Sequence, residues 1–235
     1  MLQIELDFIP KTRPTIIEGF PGFGFVSTIA TEFLIKHLNA KPIGRICSEK
    51  IQPVAAIHKS EVINPLGIFY DKKHNIMIIQ AVIPVDGLEW DLAATIAELA
   101  KRVKAKEIIG LEGVSSPGVI KNPQVFFYSK APSKMLKSLK LNPLQEGLII
   151  GVTGALLVKE KVPLSCFFVE TQSKMPDNNG AAKLIQTLDN YLSLKVDAKP
   201  LIDKAKEFET KLKGLMTGLS EVKAQKEAKN LSYID

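Results

Sequence analysis

Histidine is scarce in this chain. There are three in 235 residues, His37, His58 and His74, well separated from one another. No His-Glu-x-x-His motif and no paired His/Cys spacing occurs, which excludes the common zinc frameworks. Cysteine is rarer still: Cys47 and Cys166 are the two present, each in an apolar context. They read as buried thiols ahead of a disulfide or a reactive role. No Gly-x-Ser-x-Gly elbow of the hydrolase kind is present. There is no Walker lysine motif, and glycines at 19, 22 and 24 are wrongly spaced for a dinucleotide fingerprint. No run approaches the roughly 18 apolar residues of a membrane helix. The opening MLQIELDFIP has acidic residues and a proline where a secretory leader needs an apolar core. These absences predict a cytoplasmic protein that needs no metal or cofactor.

Arginine clusters are missing too. Lys and Arg number 31 against 25 Asp and Glu, for a formal net charge of +6. The lysines are interspersed with acids throughout, without the basic stripe and interleaved aromatics of a nucleic-acid surface. The charge therefore describes a solvated surface with a mild pull on an acidic partner. With 46% hydrophobic and 24% charged residues, the composition is that of a soluble globular chain. Its length suits one α/β domain with an appendage, or at most two small domains.

Apolar runs and turn residues divide the chain. Pro14 to Glu18 reads as a buried strand, Gly19 to Gly24 as a turn, and Val26 to Leu38 as a helix stopping near Asn39. Ile43 to Cys47 and Val54 to His58 read as strands. Gly67 to Asp71 and Asn75 to Gln80 flank a polar turn and make a hairpin. Its second strand is apolar on both faces, as in a covered sheet. Leu88 to Val103 is an amphipathic helix, Glu107 to Glu112 a strand, and Gly113 to Gly118 a loop. Val125 to Tyr128 is a short strand and Pro132 to Leu139 a short helix. Gly147 to Thr153 reads as a buried strand, with a helix beginning at Gly154. Leu164 to Glu170 is a strand, and Asp177 to Leu192 a helix capped by Asp177 or Asn178. Strands that alternate with helices predict an α/β protein, a three-layer α/β/α sandwich with a mainly parallel mixed sheet. Proline and charge near Lys195 to Pro200 divide a body, residues 1–195, from a C-terminal helical extension, residues 196–235.

Three junctions are glycine-rich: Gly19 to Gly24, Gly113 to Gly118 and Gly151 to Gly154. In open parallel sheets such loops gather where ligands bind. Glu18, Glu112 and Glu170 each end a strand and form the best enzyme-like constellation. Glu89 and Asp91 lie two apart at a helix start, where the helix dipole explains them better than acid–base chemistry.

After Pro200 an apolar seam runs through Leu201, Ala205, Phe208, Leu212, Leu215, Leu219 and Val222. Its steps alternate between four and three, a heptad rhythm. Gly214 and Gly218 each cost a helix about 1 kcal/mol relative to alanine. Such a stalk needs a partner: the body, another stalk, or both. A polar run follows, then the tip Leu231-Ser-Tyr-Ile-Asp235. Helical stalks and terminal carboxylate capture are recurring recognition devices.

The stretch Ile17-Glu-Gly-Phe-Pro-Gly-Phe-Gly-Phe-Val26, with Leu111-Glu-Gly-Val114 and Gly151-Val-Thr-Gly-Ala-Leu-Leu157, resembles the PAC2 family of proteasome assembly chaperones and their archaeal homologues. The resemblance covers most of residues 1 to 195. It implies a phosphorylase- and peptidase-like α/β/α sandwich without established catalytic residues. It also implies a partner, the α-ring of the 20S proteasome, entered by a C-terminal motif of a hydrophobic residue, tyrosine and any last residue. Here Tyr233 stands third from the end, after Ser232, so the register is shifted. By residue type, Tyr233 takes the pocket contact, the Asp235 carboxylate a basic group at the pocket mouth, and Leu231 and Ile234 the apolar contacts. A single short tail binds weakly, and several on one homo-oligomer, a tetramer for instance, gain by effective concentration. Two other readings stand beside this one. The first is a small-molecule enzyme of the phosphorylase or hydrolase type with its site at the glycine loops. The second is a scaffold that oligomerises through the seam.

Overall fold

Strands that are apolar on both faces belong where both faces are covered. The computed structural model puts them there. It describes residues 2–200 apart from 52, 54–55, 59–60, 117–119, 121, 131, 160–161 and 172–174. In chain order the elements are β1 (Gln3–Leu6), β2 (Thr15–Gly19), α1 (Val26–His37), β3 (Lys41–Cys47), β4 (Ala56–His58), β5 (Glu61–Ile63), β6 (Leu66–Asp71), β7 (Ile76–Ala81), α2 (Glu89–Arg102), β8 (Glu107–Ser115), β9 (Val125–Ser129), α3 (Lys134–Ser138), β10 (Asn142–Pro143), α4 (Gly151–Lys159), β11 (Leu164–Thr171) and α5 (Asn178–Leu192). One 3-10 turn, Phe23–Phe25, leads from β2 into α1.

Nine strands make one sheet in the order β1-β3-β6-β7-β2-β8-β11-β9-β10, and β4 pairs with β5 in a separate hairpin. The centre is parallel: β2 pairs with β7 and β8, and β8 with β11. Antiparallel strands flank it on both sides, through β6 against β7 and β9 against β11. At one edge β1 carries Glu5, whose Oε2 accepts from Arg45 Nε at 2.7 Å. At the other edge β10 is two residues long and includes Pro143.

Side chains alternate across the sheet and build two cores. On one face Ile16, Met77, Ile108 and Phe168 pack with Leu92, Ile96 and Leu156 from α2 and α4. On the other Ile17, Ile78, Ile109 and Phe167 pack with Ile29, Leu34, Ile185 and Leu188 from α1 and α5. The three-layer α/β/α sandwich is thus the fold. Helix α5 begins at Asp177, whose side chain accepts from Gly180 N at 2.8 Å while its own N–H donates to Gly24 O at 2.8 Å. The cap therefore ties α5 to the turn after β2. Among the described residues, no helix is long and apolar enough to cross a membrane.

One expected element is wrong. Gly147 to Thr153 is not a strand: residues 147–150 have no regular structure and α4 starts at Gly151. Gly151 has φ +76°, which turns the backbone before the helix. Val152, Ala155 and Leu156 then take the three-and-four spacing of a buried helix face, while Leu148 and Ile150 are left exposed. A short apolar run does not by itself separate a strand from a helix entrance. Strand β8 also runs to Ser115, so the front of the expected Gly113 to Gly118 loop is sheet. The heptad seam and the tip lie outside the described residues, whereas the expected division at 195/196 falls within them, where Val196 and Ala198 are buried in the α1/α5 core.

Phe168 is 1% exposed in the α2/α4 core. Phe168→Ala is predicted to lose about 3–5 kcal/mol of stability, through lost transfer energy and a cavity. Asp177→Ala is predicted to lose only about 1 kcal/mol, the value of a helix cap. Urea unfolding midpoints check both; equal losses would contradict this ranking.

Candidate functional site

The three strand-ending glutamates lie on the α2/α4 face, because Glu18 follows Ile16, Glu112 follows Ile108 and Gly110, and Glu170 follows Phe168 by steps of two. Register separates them along the strands. Glu18 lies opposite Gly110, Glu112 opposite Phe168, and Glu170 opposite Val114. The fold brings Glu18 and Glu112 together and leaves Glu170 one level further out. There it accepts from Gln124 N at 3.1 Å and from Ser116 Oγ at 3.4 Å.

Glu18 is fully buried and Glu112 is 5% exposed. Thr153 Oγ1, in the first turn of α4, donates to Glu18 Oε1 at 2.7 Å. Glu18 Oε2 is buried with no hydrogen-bond partner among the described residues. Gly113 N donates to Glu112 Oε1 at 3.1 Å, and the Phe23 backbone bonds the same carboxyl. Two glycines make room for this pair. A Cβ on Gly22 would overlap the Glu112 carboxyl, and one on Gly110 would stand 3.0 Å from Glu18 Oε1 and 3.1 Å from Cys166 Sγ. The motif glycine after β2 is thus a packing requirement of Glu112.

Burial governs the electrostatics. Desolvation raises the Glu18 pKa to about 8, against a smaller opposing effect of the Thr153 hydrogen bond. Desolvation, with the Glu18 charge second, pushes Glu112 well above the usual carboxylate range. The Cys166 thiol is pushed up for the same two reasons. Among the described residues, no lysine, arginine or histidine acts on either carboxyl. Glu18 accordingly keeps its proton at neutral pH.

Above the pair opens a cleft of about 830 Å³, at the carboxyl ends of β8 and β11, where open α/β sheets receive ligands. Its walls include Phe23, Phe126, Leu144, Leu148 and Ile150, with Glu170 among its polar groups. Leu148 is 85% exposed there. Among the described residues no cation lines it.

The other residues singled out by sequence lie elsewhere. His37 stacks on Phe33, and His74 Nδ1 lies 2.6 Å from Asp71 Oδ2 in the hairpin turn. Glu89 and Asp91 occupy the first turn of α2, with Asp91 near Lys50. Among the described residues no three His, Cys, Asp or Glu side chains gather as a metal ion requires. Thr153 was not foreseen, because its segment read as strand. Leu231, Tyr233, Ile234, Asp235 and the seam residues lie outside the described residues.

The PAC2 family model matches residues 16–216, a span that includes both glutamates. The chain belongs to the PAC2 family. A Pyrococcus furiosus protein, PbaA, whose crystal structure is described as that of an archaeal homolog of proteasome-assembly chaperone, shares this PAC2 fold. The TM-score is 0.85 at 28% identity, over 95% of this chain and 100% of that one. P. furiosus PbaB, described as an archaeal proteasome activator, is alike in fold, with a TM-score of 0.71 at 23% identity over 92% of this chain and 98% of that one. An uncharacterized protein of Methanocaldococcus jannaschii is 28% identical over 92% of this chain and 90% of its own length.

The buried acids give this PAC2 chain a pH signature. Folded Glu18 holds a proton up to about pH 8, whereas an unfolded glutamate releases it near pH ~4.3. The contribution of Glu18 to stability should be full below the unfolded value, fall as pH rises to about 8, and then level. The slope approaches a tenfold loss in the folded-to-unfolded ratio per pH unit for each retained proton. Glu18→Gln keeps the Thr153 acceptor and removes the titration. It is expected to flatten that slope and to raise stability at pH 7. Urea titrations between pH 5 and 9 would show it; equal slopes in both proteins would refute the assignment.

Proposed function

We propose that this chain is a non-enzymatic proteasome assembly chaperone, working in the cytoplasm and docking on the α-ring of the 20S core particle through its C-terminal tail. The observation that carries the proposal is the match to PbaA along that chain's whole length. The state of the glutamates supports it. A general base must be charged and reachable, whereas Glu18 and Glu112 are buried and Glu18 is neutral at pH 7. Both are covered by Thr153 and the Gly22–Phe23 turn.

In this reading the tip does the docking. Tyr233 enters a pocket between neighbouring α subunits, Leu231 and Ile234 add apolar contact, and the Asp235 carboxylate meets a basic group at the pocket mouth. Five residues make few contacts and lose conformational freedom, so one tail binds weakly. The seam Leu201, Ala205, Phe208, Leu212, Leu215, Leu219 and Val222 packs one stalk on another. The resulting homo-oligomer presents several tails to a ring of repeated pockets and gains by effective concentration.

The test is a native-gel titration against assembled α-rings. The full chain should shift the ring. A chain ending at Asn230 should not, while keeping the circular dichroism spectrum and urea midpoint of the full chain. Ring binding that survives this truncation overturns tail docking. Leu212→Glu with Leu215→Glu is expected to lower the mass measured by light scattering and to weaken ring binding at least tenfold. A double variant of unchanged mass would remove the seam from the account.

A further inference from the structure

Two of the cleft's walls are held by the buried acids. Glu18 takes its one hydrogen bond from Thr153, in the first turn of α4, directly after the segment 144–150 that lines the cleft. Glu112 is bonded by the backbone of Phe23, which lines another part of the cleft, and its carboxyl lies against Gly22. Strand β8 then continues from Glu112 into Val114 and Ser115, also at the cleft surface. Beneath the glutamates are the ladder hydrogen bonds of β2, β8 and β11.

We propose that Glu18 and Glu112 form a proton-held latch: while protonated they seat the first turn of α4 and the Gly22–Phe23 turn on the sheet, and loss of a proton parts these two segments and exposes the floor of the cleft.

The argument rests on where water can enter. An ionised carboxylate in an apolar interior is costly unless paired or hydrated. Among the described residues, the groups facing the pair from the elements packed around it are Thr153 on α4, Gly110 and Gly113 on β8, Cys166 on β11 and the backbone of the Gly22–Phe23 turn. The titratable ones are the two glutamates and Cys166, all acids whose ionised forms repel one another. The dipole at the α4 amino end favours an anion. The Thr153 hydroxyl and the backbone of Gly113 and Phe23, which donate to the carboxyls, favour it too, and burial outweighs all of these, as the raised Glu18 pKa records. Hydration must therefore come to the carboxyls. The sheet side is closed by paired strands, whereas residues 144–150 have no regular structure and Phe23 belongs to a single 3-10 turn. The segments that yield are the cleft walls. Proton release and cleft opening are then one event.

Cys166 reports it. The thiol is fully buried on the same face as Glu18, and Cys47 is the other cysteine of the chain. The experiment uses the full chain carrying Cys47→Ser. Labelling of Cys166 by dithiodipyridine is followed from pH 5.5 to 9 without denaturant. Each rate is divided by that of the same chain unfolded in urea at the same pH, so that thiolate reactivity cancels. The latch predicts a ratio at least tenfold above the global unfolding constant at pH 8. It also predicts a rise of about tenfold per pH unit between pH 6 and about 8, levelling beyond. Glu18→Gln with Glu112→Gln should give a flat ratio, and each single variant a shallower rise than the wild type. A ratio equal to the global unfolding constant at every pH overturns the proposal in the wild type alone, whether or not the double variant folds. An equal rise in a folded double variant overturns it as well. The chaperone reading is independent of either result, because it is judged by ring binding.

Discussion

Strand β2 is the constraint on which the rest of this molecule depends. It lies between β7 and β8 in the parallel centre, and every one of its residues is buried. The chain leaves it through α1 on one face, reaches β7 by way of β3, the β4–β5 hairpin and β6, and passes from β7 to β8 through α2 on the other face. That crossing point is where an open α/β sheet makes its crevice. A side chain at the carboxyl end of β2 therefore has only the crevice to point into, and here that side chain is Glu18. The hydroxyl of Thr153, the absence of a side chain at Gly110, and the raised pKa of the acid follow from placing a carboxyl at this position.

The crevice is filled from within. In an enzyme of this architecture the polar groups at the strand ends would face solvent and a substrate. In this chain the turn after β2 folds over them, using Gly22 to approach the Glu112 carboxyl. The accessible part of the cleft has moved outward, to a floor of Val114 and Ser115 and walls of apolar residues. Its surface is suited to contact with apolar groups more than to acid–base work. That agrees with a family whose solved members include a homolog of a proteasome-assembly chaperone.

How much of this was readable in the residues depends on the kind of signal. The double-faced strands β2, β7, β8 and β11 announced themselves by continuous apolar runs, and α1, α2 and α5 by three-and-four spacing. Strands β1 and β10 did not, because Gln3–Leu6 and Asn142–Pro143 are edge segments without an apolar run. The segment before α4 misled, since Leu148-Ile-Ile150 looks like a covered strand and its exposure is a tertiary fact. The meeting of the three glutamates at one end of the sheet was legible from their strand-ending positions. Their inequality was not. It comes from register, which sets Glu170 one level beyond Glu112 and Glu112 one level beyond Glu18. Thr153 comes from a helix 135 residues away in sequence from the acid it serves, and no local pattern reveals such a partner.

The two ends of the sheet have a consequence of their own. An uncapped edge strand is a template on which another chain can add a strand, and long sheets risk growing into fibres. Here β10 is two residues long and its Pro143 has no N–H to give, while β1 is short and carries a charged pair across to β3. Neither edge invites extension. Copies of this protein at high concentration are thereby kept from polymerising through their sheets, and the sheet remains a discrete unit.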